Sequence, residues 1–505
     1  MYIATAKEMY DIDRYTMQEI GLDGKLLMEN AGRAISEEIV KIIKENDRII
    51  VFVGSGNNGG DGFVIARTLL EANYQVKVMQ VVPNGKIAGD ALYHKEIYLK
   101  CGGEAAVLED DLNMMHSLRN TDVIIDAMLG IGVRGELREP IACCAKWINR
   151  SGAKVISVDI PSGLPAEESD ESFTAIKADY TYLVGTAKLS AFLEKTAPYY
   201  GTWKVVSIGF PRWVIEAYSK RKVWLDHDFQ STMPRREPYS HKGNHGRGLI
   251  VGGSTRMPGS ISMSVKAALK AGAGLVTAGT SKEIFHTIVS YCPEAMCVPL
   301  PEKDGYLTHS HTLKLDKYNC VAVGIGLGRH NDTTELVKSL IKSAPCPIII
   351  DADGLYHLKN NLSNLKERTY PTIITPHPGE MAMLLDVTIP EILQFPFHYS
   401  SVFAKAHNVF VILKGKHTII TAPDGRQYIN NTGNQGLAKG GSGDVLTGIV
   451  LSMVMQKQEL FQALCNACYL HGKAADLMIR DTHSYYDLLA TDVIDGIPKV
   501  YRTFS

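Results

Sequence analysis

The stretch Val53-Gly54-Ser55-Gly56-Asn57-Asn58-Gly59-Gly60-Asp61-Gly62 separates a predicted strand, 48–53, from a helix predicted to begin near Phe63. Gly54, Gly56 and Gly59 have the G-x-G-x-x-G spacing of a dinucleotide-binding turn, in which backbone N–H groups at a helix start face a phosphate. That fingerprint normally has an acid at the end of the second strand, about 20 residues later. Here the second strand ends Val81-Val82-Pro83-Asn84, so a hydride-transferring dehydrogenase is disfavoured.

The same turn carries three polar side chains, Asn57, Asn58 and Asp61. Asn and Asp tolerate the conformations of tight turns, so a purely structural role is one interpretation. A glycine turn does not need their side-chain oxygens, however, and this favours the second interpretation, a ligand-binding loop.

Short apolar strands alternate with amphipathic helices along the chain, which predicts an α/β protein with mainly parallel sheets. The predicted strands are 48–53, 75–82, 123–127, 154–159, 180–184 and 203–208 in the first half, and 248–252, 321–324, 347–351 and 372–375 in the second. A hairpin of 409–413 and 417–421 follows and leads to 426–430, before two long helices at 444–455 and 460–479. In such sheets, ligands bind to loops at the carboxyl ends of strands.

The length of 505 residues predicts two or three domains. We expect a first domain at 1–222 and a second at 223–505, with the polar, proline-bearing segment 233–241 near the boundary. The net charge of −1 gives no general attraction to nucleic acid or to an anionic membrane. The first residues contain no apolar signal core, and the nine cysteines are scattered. These features predict a cytoplasmic protein with reduced thiols and neither a nucleic-acid nor a membrane partner.

Several polar residues follow predicted strands in the first half: Asp126, Asp159, Ser162 and Lys188. Carboxylates at successive strand ends of a parallel sheet converge on one crevice, so the two aspartates predict a binding or catalytic site. Each of them could instead cap a helix.

A second glycine-dense loop, Asn431-Thr-Gly-Asn-Gln-Gly-Leu-Ala-Lys-Gly-Gly-Ser-Gly-Asp444, leads directly into a predicted helix. Unpaired amides and the positive end of the helix dipole would face an anion there, although the spacing is not that of a Walker loop. Asp444 either complements the helix dipole or accepts a proton from a substrate hydroxyl while the amides stabilise a transferring phosphoryl group.

Residues 1–220 resemble the epimerase domain of the NAD(P)H-hydrate repair family, through the glycine turn, the segments that begin at Asp126 and Asp159, and Leu27-Met-Glu-Asn-Ala-Gly-Arg33. The resemblance implies a Rossmann-like three-layer fold. It also implies that Asp159 is the catalytic acid–base and that K⁺ is held by Asn58, Asp126 and Ser162. The implied substrate-binding residues are Asn57, Asn58, Gly59, Gly60, Asp61, Gly130, Ile131, Gly132, Val133, Arg134, Gly135, Glu136 and Asp159. The family usually has glycines after the lysine, whereas this chain reads Lys188-Leu-Ser-Ala-Phe192, so no role is predicted for Lys188.

Residues 225–502 resemble the ribokinase-like hydrate dehydratase of the same family. The motifs are Ser240-His-Lys-Gly-Asn-His-Gly246, Gly252-Gly-Ser254, Pro258-Gly-Ser260, Gly324-Ile-Gly-Leu-Gly328, Asp351-Ala-Asp-Gly354, Thr375-Pro-His-Pro-Gly-Glu380, Lys414-Gly415 and the second glycine loop. The resemblance implies that the hydrated dinucleotide lies near Ser260, Gly326, His377 and Asp444, with Asp444 catalytic. It places ADP on Lys414, Gly415, Lys416, His417, Thr418, Asn434, Gly436, Lys439, Gly440, Gly441, Ser442 and Gly443. Asp353 and Glu380 would be the Mg²⁺-side groups.

Structural roles remain open for three of these residues. His377, between prolines, could order a loop, and Asp351 and Asp353 could cap the helix predicted near Leu355. The lone Cys465-x-x-Cys468 motif has no second pair of ligands, which disfavours a metal or redox site.

The resemblance implies a two-step repair of NADHX and NADPHX: epimerisation of the R and S hydrates, then ADP-dependent dehydration of the S form to give AMP and phosphate. It also implies a homo-oligomer. Neither the preference between ADP and ATP nor that between NADHX and NADPHX follows from the motifs. Two other hypotheses remain, a ribokinase-type kinase for a small alcohol with an appended nucleotide-binding domain, and a nucleotide sensor in which one half has lost catalysis.

Overall fold

The computed structural model describes residues 1–108, 121–132, 135–310 and 313–504. The chain forms two compact units, Met1–Arg221 and Lys222–Ser505. The polar segment 233–241 therefore lies inside the second unit rather than at the division. Within the described residues, no helix is both long enough and apolar enough to span a bilayer.

The first unit alternates strands and helices. Its strands are β1 Tyr2–Ala4, β2 Arg48–Val53, β3 Gln75–Gln80, β4 Ala105–Val107, β5 Val123–Ala127, β6 Lys154–Val158, β7 Tyr180–Val184, β8 Ala187–Lys188 and β9 Thr202–Val206. Its helices are α1 Ala6–Tyr15, α2 Gly24–Ile39, α3 Asn57–Glu71, α4 Gly89–Lys100, α5 Ile141–Ile148 and α6 Arg212–Tyr218, with a π-helical turn at Thr16–Ile20.

The main sheet of the first unit has the order β4-β3-β2-β5-β6-β7-β9, and all its pairs are parallel. Strand β2 shows why the sheet is covered on both faces. Ile49, Val51 and Val53 pack into one apolar cluster with helices α1 to α4, whereas Ile50 and Phe52 pack into another with α5. Successive strand residues point to opposite faces, so a strand with no polar face must be buried on both. The predicted three-layer Rossmann-like arrangement is confirmed.

Strand order reverses between β2 and β5, because the chain proceeds from β2 to β3 and β4 on one side and from β5 to β6 and β7 on the other. Such a switch point leaves a crevice beyond the carboxyl ends of the two central strands. The loops that begin at Gly54 and Met128 enter this crevice, which places the first glycine turn where a parallel sheet binds ligands.

The second unit is larger. Its strands are β10 Arg221–Trp224 (which starts on the last residue of the first unit), β11 Arg247–Val251, β12 Leu275–Thr280, β13 Met296–Pro299, β14 Glu302–Lys303, β15 Tyr306–Leu307, β16 Cys320–Val323, β17 Ile348–Ile350, β18 Thr372–Ile374, β19 Phe410–Leu413, β20 Thr418–Thr421 and β21 Gln427–Asn430. Its helices are α7 Asp226–Thr232, α8 Pro258–Lys270, α9 Phe285–Tyr291, α10 Asn331–Ser343, α11 Asp353–Leu358, α12 Ser363–Lys366, α13 Pro378–Leu385, α14 Ile389–Gln394, α15 Pro396–His407, α16 Ser442–Val454, α17 Leu460–Asp481 and α18 Ala490–Arg502.

The sheet of the second unit runs β13-β12-β11-β16-β17-β18-β19 in parallel, and β20 and β21 continue it antiparallel. A second switch point lies between β11 and β16. Helix α16 packs closely on α8, because Gly448 has no side chain to meet the Ser264 carbonyl. This contact fixes the glycine loop that precedes α16 over the carboxyl ends of the strands.

The predicted α/β class and the predicted strands of both halves are confirmed, and no strand end differs from its prediction by more than two residues. Strands β1, β4, β8, β10 and β12 to β15 were not predicted. Ala278 and Gly279 in β12 have low strand propensity, and β13 is a short edge strand. Cys465 and Cys468 lie buried in α17 as free thiols, and burial raises the pKa of Cys468 to about 12.

Candidate active sites

The first glycine turn links β2 to α3. A Cβ on Gly54 would overlap the carbonyl oxygen of Met128, and a Cβ on Gly59 would overlap the carbonyl oxygen of Gly54. The backbone can therefore make this turn only with glycine at both positions. The first N–H groups of α3 have no acceptor within the helix, and its N-cap residue, Gly56, supplies none from a side chain. These donors are available to an anionic group such as a phosphate.

A cavity of about 730 Å³ lies at the switch point of the first unit. Many of the predicted substrate-binding residues line it: Asn57, Asn58, Asp61, Gly130, Ile131, Gly132, Glu136 and Asp159. Gly59 and Gly60 are instead buried within α3. Gly135 lines a smaller cavity of about 250 Å³, where its N–H donates to Glu171. Val133 and Arg134 lie outside the described residues.

The three predicted potassium ligands lie beside this cavity. Asp126 is fully buried and accepts hydrogen bonds from the Ser162 N–H (2.8 Å), the Ser162 hydroxyl (2.5 Å) and the Ser157 hydroxyl (2.9 Å). Burial raises the pKa of Asp126, although these hydrogen bonds act in the opposite direction. Asn58 donates to the Leu129 carbonyl, whereas its own buried Oδ1 has no hydrogen-bond partner in the described part of the chain.

An unpaired buried oxygen costs free energy, and a cation would satisfy it. The chemistry of these donors therefore fits K⁺, because hard cations prefer oxygen ligands and this set contains neither Cys nor His. In the described residues there is no group of three His, Cys, Asp or Glu side chains that could hold a metal ion.

Asp159 forms a buried ion pair with Lys188. The Lys188 Nζ lies 2.8 Å from Asp159 Oδ1 and also donates to the carbonyls of Val184 (2.9 Å) and Thr186 (3.0 Å). The lysine side chain is 1% exposed and that of Asp159 is 13% exposed. The Val184 N–H donates to the same carboxylate oxygen, 3.0 Å away. Asp159 has a left-handed backbone, with φ of +65°.

Neither aspartate at the strand ends caps a helix, so that alternative is excluded for Asp126 and Asp159. Sequence reasoning missed Asp13, a carboxylate on α1 that lines the cavity. It also did not predict that Lys188 is buried. Burial also raises the pKa of Asp61 well above its usual value, and the nearby carboxylates of Asp159 and Asp13 add to this effect.

In the second unit, the glycine loop leads into α16. Gly441 is the N-cap residue and has φ of +93°, a left-handed conformation that favours glycine. A Cβ on Gly443 would lie 3.5 Å from Lys414 Nζ and 4.0 Å from Asp351 Oδ2, so the missing side chain leaves room above that pair. The first amides of α16 and the Lys414 ammonium therefore lie together, as a phosphate-binding site requires.

Lys414 follows β19 and forms an ion pair with Asp351, at 2.9 Å, while Glu380 lies 3.8 Å from its Nζ. The Thr447 hydroxyl donates to the other oxygen of Asp351, at 2.6 Å. Burial alone would raise the pKa of Asp351, but Lys414 and the hydrogen bonds more than offset it and hold the pKa below its usual value. The same partners raise the pKa of Lys414 despite its burial. Both groups are therefore charged.

Asp444 lies in the first turn of α16, and its raised pKa suits a general base. Burial, followed by the field of Asp351, raises its pKa to about 6, while a hydrogen bond with Ser260 and the charge of Lys414 lower it. Ser260 also lies next to Gly326, whose Cβ would be 3.0 Å from the Ser260 Cβ. The structure thus brings together three of the four residues predicted to contact the hydrated dinucleotide.

The fourth, His377, is the N-cap of α13. Its Nδ1 accepts from the N–H groups of Gly379 (3.0 Å) and Glu380 (3.3 Å), and Glu380 accepts in return from the His377 N–H. The interpretation of His377 as a residue that orders this loop thus has direct support. Its side chain is 56% exposed and lies beside Glu380.

Asp351 and Asp353 do not cap α11, contrary to the alternative drawn from the sequence. The N-cap residue is Ala352, which has φ of +49° and ψ of −124°, a strained backbone for a residue with a Cβ. Asp353 accepts from the Gly328 N–H at 2.9 Å and pairs with Arg329. With Glu380, it provides carboxylate oxygen near the glycine loop, which fits Mg²⁺ carried by a nucleotide, since that ion needs few protein ligands.

The remaining predicted nucleotide residues fall into two groups. Lys414, Gly440, Gly441, Ser442 and Gly443 lie around the start of α16, with Gly415, Lys416 and His417 in the turn that follows β19 and Thr418 at the start of β20. Asn434, Gly436 and Lys439 instead support the loop: Asn434 caps a 3₁₀ turn and binds Asp476, and Lys439 donates to the Tyr486 carbonyl. Hydrogen bonds within the chain thus engage the side chains of Asn434 and Lys439.

Two family models match the chain. The model described as YjeF-related protein N-terminus matches residues 24–190, and the NAD(P)H-hydrate dehydratase model matches residues 248–499. The chain is also similar, at 33% identity, to a solved ADP/ATP-dependent NAD(P)H-hydrate dehydratase from Bacillus subtilis that was co-crystallised with ATP and Mg²⁺. That similarity covers 56% of this chain and 99% of the other, with a TM-score of 0.49.

Similar curated proteins extend over both units. A bifunctional NAD(P)H-hydrate repair enzyme from Moorella thermoacetica is 36% identical over 100% of this chain and 97% of its own length. One from Escherichia coli is 31% identical over 97% of this chain and 92% of its own length. A match over the full length favours the repair hypothesis over a kinase with an unrelated appendage. The chain belongs to the family of bifunctional NAD(P)H-hydrate repair enzymes, with a Rossmann-like first domain and a ribokinase-like second domain.

Proposed function

We propose that this chain restores hydrated NADH and NADPH to the reduced coenzymes. The first unit, proposed as domain 1–222, interconverts the R and S hydrates, and the second, proposed as domain 223–505, dehydrates the S hydrate at the expense of ADP. One observation carries the proposal. Each unit places a carboxylate beside a glycine turn at a helix start, in a chain whose full length is similar to bifunctional repair enzymes.

In the first unit, we assign binding of the dinucleotide to Asn57–Asp61 and to the loop 130–136. The amides of the glycine turn suit its phosphates. Asp159 is the acid–base residue for the hydroxyl-bearing C6 atom of the reduced ring. Lys188 fixes the orientation of Asp159 and stabilises its charge through the 2.8 Å ion pair.

The oxygens of Asn58, Asp126 and Ser162 would hold K⁺ there. When bound, the ion would supply a fixed positive charge beside the phosphate-binding turn. The unpaired Asn58 Oδ1 is the structural support for this assignment.

The second unit uses a phosphoryl transfer to make a poor leaving group into a good one. Asp444 takes the proton of the C6 hydroxyl, and the hydroxyl oxygen attacks the β-phosphorus of ADP, which releases AMP. The amides at the start of α16 and the Lys414 ammonium stabilise the charge that develops on the phosphoryl oxygens. The C6–O bond then breaks, with the N1 lone pair assisting. Phosphate departs, and a proton lost from C5 restores the C5=C6 double bond.

Asp353 and Glu380 would hold Mg²⁺ on the phosphate side of the nucleotide, where the ion would supply positive charge for the phosphoryl transfer. Asp351 has a different role, since both its oxygens are engaged by Lys414 and Thr447. It therefore holds the lysine in place rather than binding the ion.

Two activities in one chain serve a mixed substrate. Hydration at C6 produces both epimers, and a dehydratase that accepts one of them leaves the other behind unless an epimerase converts it. We also propose that the protein is a homo-oligomer of the cytoplasm. Exposed apolar side chains on the first unit, including Tyr10, Ile20 and Leu26, suit a contact between copies, and the nine cysteines are free thiols.

The experiment that tests the proposal is incubation of a mixture of R and S hydrates with the protein, ADP, Mg²⁺ and K⁺. We expect complete recovery of the absorbance of reduced nicotinamide, with one AMP and one phosphate formed for each coenzyme. Replacing K⁺ by Na⁺ should slow the conversion of the R fraction alone. A stable phosphorylated product without recovery of the reduced coenzyme would contradict the proposal.

A further inference from the structure

Asp13 is a carboxylate of the epimerase cavity that the proposed chemistry has not yet used. It lies on α1, where its neighbour Ile12 and Met9 are buried in the core, and it lines the cavity together with Asp61, Asp159 and Lys188. Asp13 comes from the helical side of the cavity, whereas Asp159 and Lys188 come from the strand ends.

The position of α1 is fixed at its N-terminus. The Thr5 hydroxyl accepts from the Glu8 N–H, and the Glu8 carboxylate accepts from the Thr5 N–H at 2.8 Å, which together form a capping box. The Glu167 carboxylate accepts from the Ala6 N–H, also at 2.8 Å. A helix held in this way presents Asp13 to the cavity at a defined place.

Asp13 and Asp159 differ in the hydrogen-bond donors that surround them. Asp159 accepts hydrogen bonds from an ammonium and an N–H, both of which stabilise an ionised carboxylate. Asp13 makes no hydrogen bond through its side chain to the described residues. Burial raises its pKa to about 6, and the field of Asp159 adds to this effect, while Lys188 opposes it. Two carboxyl groups with such environments form an acid and a base.

Epimerisation at C6 needs both. For the hydroxyl to leave one face of the ring and return on the other, an acid must protonate the departing oxygen and a base must deprotonate the incoming water. We propose that Asp13 is a second proton-transfer residue of the epimerase site, the acid that works with Asp159 as the base. This inference rests on the proposed epimerase function.

The step balances as follows. The Asp13 carboxyl donates its proton to the C6 hydroxyl, the C6–O bond breaks, and water leaves while the N1 lone pair forms a C6=N1 iminium. Water then adds to the opposite face of C6 and gives a proton to the Asp159 carboxylate. Proton exchange with solvent returns Asp13 to its acid form and Asp159 to its base form, so the net reaction is a change of configuration only.

Other charged or titratable groups face the same cavity and contribute to the pH dependence of epimerisation. They are Tyr10, Arg14, Asp61, Asp90, Glu136, Arg138 and Lys188. Asp61 is the most deeply buried of these carboxylates, and we assign it to substrate binding with the first turn of α3.

The test uses the full-length chain and R hydrate, with the reduced coenzyme formed by its own second unit as the readout and the spontaneous epimerisation rate subtracted. We expect Asp13→Asn to slow conversion of R hydrate by about 100-fold or more while dehydration of S hydrate stays at the wild-type rate. Asp13→Glu should restore part of the rate. Glu19→Gln is the matched control, because Glu19 lies in the π-helical turn that follows α1, is exposed and does not line the cavity. It should have little effect.

The pH profile separates a proton donor from a merely structural residue. The wild-type epimerisation rate should fall about tenfold per pH unit above the pKa of Asp13, and Asp13→Asn should remove this limb. An Asp13→Asn variant with a rate within about threefold of wild type and an unchanged profile would overturn the inference. If the wild-type protein itself converts R hydrate no faster than the spontaneous reaction, the proposed epimerase function fails, and that result is distinct from a defect at Asp13.

Discussion

The Lys188 ammonium lies 2.8 Å from the Asp159 carboxylate, and its other hydrogen bonds go to two backbone carbonyls. With three acceptors, this lysine has no donor left for a substrate. Its role is therefore to hold Asp159 in one orientation and to stabilise its negative charge in a site that also contains Asp13 and Asp61. We therefore propose that the lysine is a positioning residue and that Asp159 is the group that meets the substrate.

Replacement of Lys188 by Met should therefore affect both stability and epimerisation. Loss of one partner from a buried ion pair leaves an uncompensated charge, which costs about 3–5 kcal/mol. We expect a decrease of that size in the free energy of unfolding, measured by denaturant titration, and slower conversion of R hydrate. The exposed Lys195→Met is the control in the same unit. Equal stability of the two variants would contradict the buried pair.

Removal of the Asp159 carboxylate should separate the two activities. In Asp159→Ala, recovery of reduced coenzyme from mixed hydrate should stop after the S fraction is consumed, because only spontaneous epimerisation then supplies more. Chromatographic separation of the epimers would show the R form accumulating. Complete conversion at the wild-type rate would argue against the assignment of Asp159.

Asp444→Asn should abolish dehydration while epimerisation continues. General-base catalysis contributes about 10²–10⁴-fold, so the rate for S hydrate should fall by at least 100-fold. The amides of the loop and Lys414 remain, so binding of ADP, measured by calorimetry, should persist. Asp332→Asn is the control and should behave as wild type, because the Asp332 side chain in the first turn of α10 is 41% exposed and pairs with groups near the surface. An active Asp444→Asn variant would mean that another group takes the proton.

The pH dependence of dehydration should report the ionisation of Asp444. Its pKa is raised to about 6, and the base must be ionised to accept a proton, so activity should be lost as the pH falls. We expect kcat/KM for S hydrate to fall about tenfold per pH unit below about pH 6 and to level off above it. The rate of dehydration should therefore rise with pH, whereas the rate of epimerisation is expected to fall above the pKa of Asp13. A rate that rises on acidification would exclude Asp444 as the base.

Gly54→Ala should destabilise the first unit, because the added Cβ would overlap the Met128 carbonyl. Overpacking of this kind costs about 1–3 kcal/mol. Gly56→Ala is the matched control, since its Cβ would meet open space and its φ is −91°. In thermal unfolding, Gly54→Ala should have a lower melting temperature than Gly56→Ala. Equal melting temperatures would mean that the turn can relax around Gly54.

Much of this organisation is predictable from sequence, because its signals are local. Runs of Val and Ile bounded by glycine turns predict buried parallel strands, and both glycine-rich segments were located. The helix after the first of them begins at Asn57, however, and not near Phe63 as predicted. The spacing of Thr5 and Glu8 is likewise a local signal, typical of a capping box, and the structure contains that box. Strand β12 was missed because its small residues, Ala278 and Gly279, are selected for packing rather than for strand propensity.

The site residues missed by sequence reasoning depend on tertiary structure. Asp13 lies on an amphipathic helix, where an acid is usually a solvated surface residue. Lys188 is almost completely buried, which is rare for lysine and has no local signal. The residues Asn434, Gly436 and Lys439, predicted to bind ADP, make hydrogen bonds within the chain that the sequence does not reveal. Only the hydrogen bonds of the folded chain distinguish these cases.

The backbone of Ala352 has a consequence for how this enzyme could be stabilised. Its unusual dihedral angles turn two successive acids in different directions, one toward Lys414 and the other toward the Gly328 amide. A glycine at this position would relieve about 1–3 kcal/mol of strain. It would also make the backbone between Asp351 and Asp353 less rigid, so that the two side chains would be held less firmly on their separate partners. A substitution that stabilises the backbone at this residue would therefore disturb the arrangement of the two carboxylates. Ala352 should be left unchanged when more thermostable variants are sought.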